Sequence, residues 1–375
     1  MMDISESIHK EVDFLRDLNL KEYMLYTKWQ LLKDRYDDKC LGLSAFFGTD
    51  YFGPLKNRIW APKEPMDFLT LKPVLLKVDT KSQSDEFIEL MDVITSFAAP
   101  PYIRGKQLKY IVKDEVSKKY LGVIRLCSDF FLLGPRDDHI GWTKENKVNG
   151  KLNSILAMNA CLPVQPFGYN YTGGKLLALL ALSDVVMSDW NEKYSDSPLA
   201  GLVTTGLYGG FSQYSGLKPY WKGIGITNSE IPKLPSMRVY KQIREWIKTD
   251  FPETYEKLQT VTYAKTRFVS FAYKKLGISL MQPVSRGVFF SQLYDNTLEF
   301  LNEQTNQLNH MKFDNSIETL TNLWKEKHAT KRIKNVLNKS NFSTDASLYD
   351  DLIYAKTWPD VKRYINRLPS PSSLI

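Results

Sequence analysis

The order of strand-like and helix-like segments between residues 107 and 227 most constrains the fold of this chain. Short runs rich in Val, Ile, Leu and Phe alternate with polar turns, and an apolar run at 175–190 has the length and spacing of a helix. The predicted strands are residues 71–78, 107–112, 122–126, 130–133, 155–158, 199–204 and 224–227. Strands that flank a central helix predict an α/β or α+β domain, in which helices cover the faces of a sheet.

The segments on either side of this region have a different texture. Residues 5–38 show the apolar spacing of a helix, and residues 42–65 are an aromatic-rich loop, either packed internally or available for stacking on bases. From residue 236 onward the spacing is helical, and prolines separate the segments. These residue patterns predict an N-terminal helix and aromatic loop (1–69), an α/β domain (70–232) and a C-terminal helical region (236–375).

The amino-acid composition excludes some classes of protein for this chain. Hydrophobic residues make up 43% of the 375 residues, which argues against a disordered chain, and the net charge of +8 is compatible with nucleic-acid binding without requiring it. Cys40, Cys127 and Cys161 lack metal-ligand spacing, so a reducing compartment and no metal site are predicted. The N-terminus lacks the pattern of a signal peptide, and the longest apolar run is too short to cross a bilayer. We therefore expect a cytoplasmic protein with no membrane partner.

A charged cluster, Arg136-Asp137-Asp138-His139, lies in a predicted turn between apolar segments. It is either a solvated turn or a site in which a pair between Arg136 and Asp137 orients the loop. His139 is one of four histidines and a candidate general base, and the alternative is a surface histidine without a catalytic role.

A Gly-Gly turn opens the predicted helix at 175–190. Gly173 and Gly174 would let backbone N–H groups approach a phosphate at the helix N-terminus, flanked by Thr172 and by the charge of Lys175. The same residues also fit a plain helix cap. The sequence is neither a Walker A motif nor a dinucleotide-binding fingerprint.

Two further segments carry candidate residues. Tyr220 could act as a general acid toward a leaving group or simply pack. The basic stretch 325–339 includes Lys331, Arg332 and Lys334, and is either a solvated helix face or a set of contacts to nucleic-acid phosphates. No Ser-His-Asp order or metal-binding pattern accompanies these residues.

The motif LGPRDDHIGW at residues 133–142 carries a family resemblance. Together with Leu162-Pro163, Asp189-Trp190, Tyr194 and Pro198, it resembles the Druantia anti-phage protein A family, which also occurs in phage genomes and beside transposase-like sequences. The resemblance covers about a third of the chain, between about residues 107 and 228.

That family is similar to the phage Mom DNA-modification protein and, through it, to the GNAT acyltransferase fold. The resemblance implies a GNAT-like mixed sheet whose central strands diverge, with an acyl-CoA-like donor at 171–175. The segment 136–142 and Tyr220 would close the same site. Thr204 and Tyr208 stand where the family has acidic residues. Two functions therefore stay open: a phage or mobile-element protein that modifies DNA bases by group transfer, or a non-catalytic DNA-binding or defence-interfering protein.

Overall fold

The computed structural model describes residues 4–36, 55–96, 103, 105–207, 212–261 and 264–367. The first part of the predicted aromatic loop (42–54) and Tyr208 lie outside these ranges. Within them, one sheet organises the chain, and helices from both ends of the sequence pack around it.

Seven strands form the sheet: β1 (Pro73–Lys77), β2 (Gln107–Asp114), β3 (Tyr120–Ser128), β4 (Ile155–Pro163), β5 (Gly201–Thr205), β6 (Lys222–Pro232) and β7 (Met281–Gln292). Their order across the sheet is β1-β2-β3-β4-β5-β7-β6. Neighbouring strands are antiparallel except β4 and β5, which are parallel. The expected mixed α/β architecture is therefore confirmed.

The parallel pair opens after three residue pairs. β4 and β5 pair from Ile155–Gly201 to Ala157–Val203. The Thr204 hydroxyl then donates to the Met158 carbonyl at 2.7 Å. β5 ends one residue later, at Thr205, whereas β4 continues to Pro163. The two central strands thus diverge toward the end of β4, which leads into the Gly-Gly turn.

Helices cover the sheet and extend from it: α1 (Ile4–Arg16), α2 (Leu20–Tyr36), α3 (Leu55–Arg58), α4 (Lys81–Ile94), α5 (Gly134–Ile140), α6 (Lys144–Val148), α7 (Phe167–Tyr171), α8 (Gly173–Leu180), α9 (Asp184–Lys193), α10 (Met237–Asp250), α11 (Pro252–Gln259), α12 (Ala264–Lys275), α13 (Thr297–Leu301), α14 (Ile317–Leu323), α15 (Thr330–Asn338), α16 (Asp350–Ile353) and α17 (Trp358–Arg367). A π-helical segment, Trp324–Ala329, joins α14 to α15. Two predicted helices are each divided in two, at 17–19 and at 181–183.

The region around the LGPRDDHIGW motif differs from its prediction. Residues 130–133 are not a strand but an irregular connection, and the charged cluster lies in α5 instead of a turn. Pro135 occupies the first turn of α5, where its missing N–H costs no hydrogen bond. Gly141 ends the helix at φ 83°, a left-handed conformation that glycine adopts readily. The proline in the first turn and the glycine at the end therefore set the limits of a short helix here.

The C-terminal region contains a strand that the sequence did not predict. β7 lies between β5 and β6, although a helical region was expected from 236 to 375. Its residues alternate: Val288 and Phe290 join one apolar core, and Phe289 joins the other. Pairing on both sides decides the conformation, because strand preference depends on cross-strand packing. The boundary expected near 232–236 therefore does not separate the sheet from the C-terminal third of the chain.

The central strands carry two apolar layers on opposite faces of the sheet. In β4, Leu156 and Met158 belong to the larger core, which includes the leucines of α8. Ile155 and Ala157 belong to the smaller core, which includes Ile140 of α5. Successive residues of a strand point to opposite sides. We conclude that α8 and α5 lie on opposite faces of the sheet.

Candidate nucleic-acid interface

Arg136 forms the predicted pair with Asp137, but the pair is buried. The guanidinium is fully buried and donates to the carboxylates of Asp129 and Asp137. Lys147 donates to the other oxygen of Asp137 at 2.8 Å. Burial alone would raise the pKa of Asp137, yet the hydrogen bonds from Lys147 and Arg136 hold it below its usual range. This network ties the start of α5 to its surroundings and offers no open group to a substrate.

His139 lies on the same helix without a catalytic partner in the described part of the chain. Its ring meets Phe290 edge to face at 5.7 Å, and Nε2 is buried without a hydrogen bond there. Burial and the charge of Lys222 lower the pKa of His139. The imidazole is therefore neutral near pH 7, but nothing positions it against a nucleophile or an acid.

The Gly-Gly turn packs closely against the protein. A side chain at Gly173 would overlap the Phe167 ring, and one at Gly174 would overlap the side chain of Gln213. The Lys175 ammonium donates to the carbonyls of Gln213, at 3.2 Å, and Ser215. Burial lowers the pKa of Lys175 to about 8. The two glycines permit this close packing and leave no open cradle for a phosphate.

Tyr220 packs against Phe313 and is followed by Trp221, which contacts α8. The Tyr220 ring lies 4.6 Å from that of Phe313, and burial and then the charge of Asp314 raise the pKa of Tyr220. The neighbouring Trp221 donates to the Ala178 carbonyl of α8 at 2.9 Å. Because α5 and α8 cover opposite faces of the sheet, the segments 136–142 and 172–175 do not form the single site that the sequence predicted.

The structure instead brings the basic stretch against the Gly-Gly turn. Trp324, at the start of the π-helical segment, is fully buried and donates to the carbonyls of Tyr171 and Thr172 at 3.0 and 3.3 Å. Lys325 donates to the carbonyls of Leu69 and Leu71 and is thereby committed to packing. Extended π-helical turns are rare and are frequent at functional sites. This one places the next residues of the helix beside the start of α8.

Cations converge on His328 within this segment. Burial and then the charges of Lys175, Lys327 and Lys331 together lower the pKa of His328 to about 4. The side chains of Lys327 and Lys331 are exposed. No ion pair in the described part of the chain engages them. We call Lys175, Lys327, His328, Lys331 and Lys334 the basic cluster; its positive potential favours an anionic ligand.

The three predicted phosphate-binding residues differ in their surroundings. Lys331 and Lys334 are exposed, whereas Arg332 is half-buried. The Arg332 Nε–H donates to the Tyr169 carbonyl at 2.9 Å, and the guanidinium lies 4.7 Å from the centre of the Tyr169 ring. The other end of that guanidinium is buried without a hydrogen bond in the part of the chain described. Arg332 therefore anchors the helix, and the two lysines face solvent.

The basic stretch predicted from the sequence included Lys327, but sequence reasoning missed His328 and the closeness of Lys175 to that stretch. The signal was present only as charge spacing, because Lys327, Lys331 and Lys334 recur at helical intervals. Lys175 lies about 150 positions before the basic stretch in the sequence. Its closeness to that stretch in the fold depends on the buried Trp324, which donates to the Thr172 carbonyl.

Two other kinds of site are absent from the described ranges. No helix there is both long and apolar enough to cross a membrane. No three His, Cys, Asp or Glu side chains of those residues come together as ligands for a metal ion.

Comparison with known proteins gives the family. Residues 54–303 match the family described as Druantia protein DruA. The Druantia protein DruA of Escherichia coli (strain UMEA 4076-1) is 26% identical over 256 residues, which cover 62% of this chain and 61% of that protein. The chain thus spans less than two thirds of that relative's length. No solved structure matches. Neither match extends the resemblance to Mom-type, GNAT or phage proteins, and the family is one of anti-phage defence. This chain belongs to the Druantia protein DruA family.

Proposed function

We propose that this protein is a non-catalytic, DNA-binding component of anti-phage defence that contacts phosphates through the basic cluster. The observation that carries the proposal is the convergence of Lys175, Lys327 and Lys331 on His328 without a compensating carboxylate among the charges that act on it. Nucleic-acid phosphates supply the missing negative charge. Binding of host or phage DNA would take place in the cytoplasm.

Salt dependence tests this proposal. Replacing Lys327, Lys331 and Lys334 together by alanine should weaken duplex binding and flatten the plot of log affinity against log salt. The slope should fall in magnitude by about 2 to 3, because each lost phosphate contact removes about 0.9. Fluorescence anisotropy with a labelled duplex, at salt concentrations from roughly 50 to 200 mM, measures both quantities.

A matched variant controls for net charge. Lys241, Lys248 and Lys257 are also exposed, on α10 and α11. Their replacement by alanine removes the same charge and should leave the slope close to that of the unaltered protein. Equal losses of DNA affinity in the two triple variants would show that binding depends on the net charge and not on which surface carries it. That result would refute a site at the basic cluster.

His328 reports directly on the bound anion. In the free protein its pKa is lowered to about 4 by burial and by the three lysines. A phosphate beside the ring would offset those charges, so we expect the pKa of His328 to rise by about one unit or more on binding DNA. NMR titration of the histidine ring signals with and without a short duplex measures the shift, and an unchanged titration would place the DNA elsewhere. Replacing Lys331 by alanine should raise the same pKa without DNA.

A group transferase on a GNAT-like scaffold is the second candidate. The sheet order, with one parallel pair that diverges after three residue pairs, supports a GNAT-like fold. Protein side chains fill the space where β4 and β5 diverge, which argues against an acyl donor bound there. Gln213 covers Gly174 and donates to the Cys161 carbonyl at 2.8 Å, and Thr204 stands in place of an acid. Mass spectrometry of nucleosides from cells that express the protein tests this candidate, and a modified base would favour it.

A further inference from the structure

Planar side chains alternate with the lysines of the basic cluster. Lys327 precedes His328, and Lys331 precedes Arg332, so the same pair of a cation and a planar group recurs after four residues. Residues four apart on a helix lie on one face, one turn above the other. His328 and Arg332 are half-buried, as is Tyr169 of α7, and the two lysines are exposed. A row of planar groups therefore runs beside a row of cations.

Tyr169 and Arg332 form a fixed pair within this surface. The guanidinium lies 4.7 Å from the centre of the Tyr169 ring, and its Nε–H donates to the Tyr169 carbonyl at 2.9 Å. The Tyr169 N–H in turn donates to the side-chain oxygen of Gln165 at 2.9 Å. Both planar groups are thus oriented before any ligand arrives. Groups that are already ordered lose little conformational entropy when a ligand binds them.

The planar groups favour one form of nucleic acid. Lysines contact the phosphates of duplex and single-stranded DNA alike. A tyrosine ring or a guanidinium plane can stack on a base only where the base is not already stacked inside a duplex. Cations beside stacking side chains are typical of sites that bind single strands without sequence preference. Glu326 is exposed one position before Lys327, and it is not among the charges that act on His328.

We propose that this surface binds single-stranded DNA in preference to duplex DNA. A base stacks on the pair of Tyr169 and Arg332, and the neighbouring phosphates contact Lys327, Lys331 and Lys334. The inference rests on the proposed DNA binding at the basic cluster, and it adds the form of DNA that the cluster takes. Sequence preference should be weak, because every base has a face on which to stack.

Three labelled ligands test the preference at one salt concentration. They are a single DNA strand of about 12 nucleotides, which lies within the usual range of such sites, the duplex of the same sequence, and an abasic strand of the same length. Fluorescence anisotropy with the full chain gives the three affinities. The single strand should bind about tenfold more tightly than either the duplex or the abasic strand, because only it offers unstacked bases.

Substitution of Tyr169 assigns the stacking contact. Tyr169→Leu should weaken binding of the single strand about tenfold, and its effect on the abasic strand should be about twofold or less. Tyr169→Phe keeps the ring and should bind the single strand like the unaltered protein. Tyr240→Leu is the matched control, because Tyr240 on α10 is also half-buried and lies 5.3 Å from the ammonium of Lys265. This control should keep the affinity for the single strand.

The outcomes separate this inference from the proposed function. Equal affinity for the single strand and the duplex, or an equal loss with the single and abasic strands in Tyr169→Leu, would refute the stacking site. The proposed function would still stand if the triple lysine variant lost affinity for DNA. Full binding by that triple variant would refute both. Thermal unfolding establishes that the variants fold, and the comparison of the three ligands on the unaltered protein decides the preference without any variant.

Discussion

Replacing Arg136 by methionine is expected to lower the free energy of unfolding by about 3–5 kcal/mol. The guanidinium is fully buried, and its loss leaves the carboxylate of Asp129 buried without its cation. The carbonyls of Phe130 and Phe131 lose their donor as well. Urea-induced unfolding followed by circular dichroism measures the change.

Two companion variants separate charge from geometry. Arg136→Lys keeps the charge but cannot form several parallel hydrogen bonds, so it should retain only part of the stability. Arg363→Met removes an arginine that is 72% exposed and pairs with Asp360, and should change stability by less than about 1 kcal/mol. If Arg136→Met were as mild as Arg363→Met, the buried network would not hold the motif together.

This result bears on what the LGPRDDHIGW motif does. From the sequence, an Arg-Asp pair beside a histidine indicated either a solvated turn or a catalytic site. The structure supports neither, because the pair is buried and Arg136 holds the backbone carbonyls of Phe130 and Phe131. Burial of an arginine cannot be read from a single sequence, since it depends on Asp129 and Lys147 closing around it.

Local patterning predicted the sheet better than it predicted the sites. The hairpin of β2 and β3 and the buried strands β4 and β5 follow from alternating or continuous apolar runs bounded by turn residues. β7 was missed because the run FFSQLYDNTLEF around Phe290 fits helical spacing as well. Its partner residues in β5 and β6 lie at least 49 positions away in the sequence. Their pairing is a tertiary effect that local periodicity does not contain.

The Gly-Gly turn shows a similar limit. Two glycines before a helix predicted room for a phosphate, and the space that they leave is taken by Phe167 and Gln213. A glycine can indicate that other atoms come close to the backbone, but the sequence does not say whether those atoms belong to a ligand or to the protein itself. In the same way, the helical spacing of Lys331 and Lys334 predicted a basic face, but not that Lys175 would join it.

Lys28 gives a further test of the fold, through the pH dependence of stability. This lysine of α2 is buried, and its ammonium donates to the carbonyls of Val93, at 2.6 Å, and Thr95 at the end of α4. Burial lowers its pKa to about 7, against the opposing effect of Asp92. The helical pattern of α2 did not predict that Lys28 is buried, because lysines are rarely buried.

The sign of the effect comes from proton binding. Above about pH 7 the folded protein holds Lys28 neutral, while the unfolded chain keeps it protonated up to its ordinary pKa near 10.5. The unfolded state therefore binds more protons, and the free energy of unfolding should rise with pH. Lys175, with its pKa lowered to about 8, acts in the same direction at the upper end. Between about pH 7 and 8.5 we expect Lys28 to contribute a rise of roughly 2 kcal/mol.

The variant Lys28→Met should lose most of this pH dependence. Methionine fills a similar volume without a titrating group, so stability near pH 7 should change little, whereas the rise toward pH 8.5 should largely disappear. Lys10→Met, at an exposed position on α1, serves as the control and should keep the full rise. Urea unfolding at closely spaced pH values gives the slopes. Parallel curves for Lys28→Met and the unaltered protein would mean that Lys28 is not buried as a neutral amine, and that α2 does not pack on the end of α4 as described.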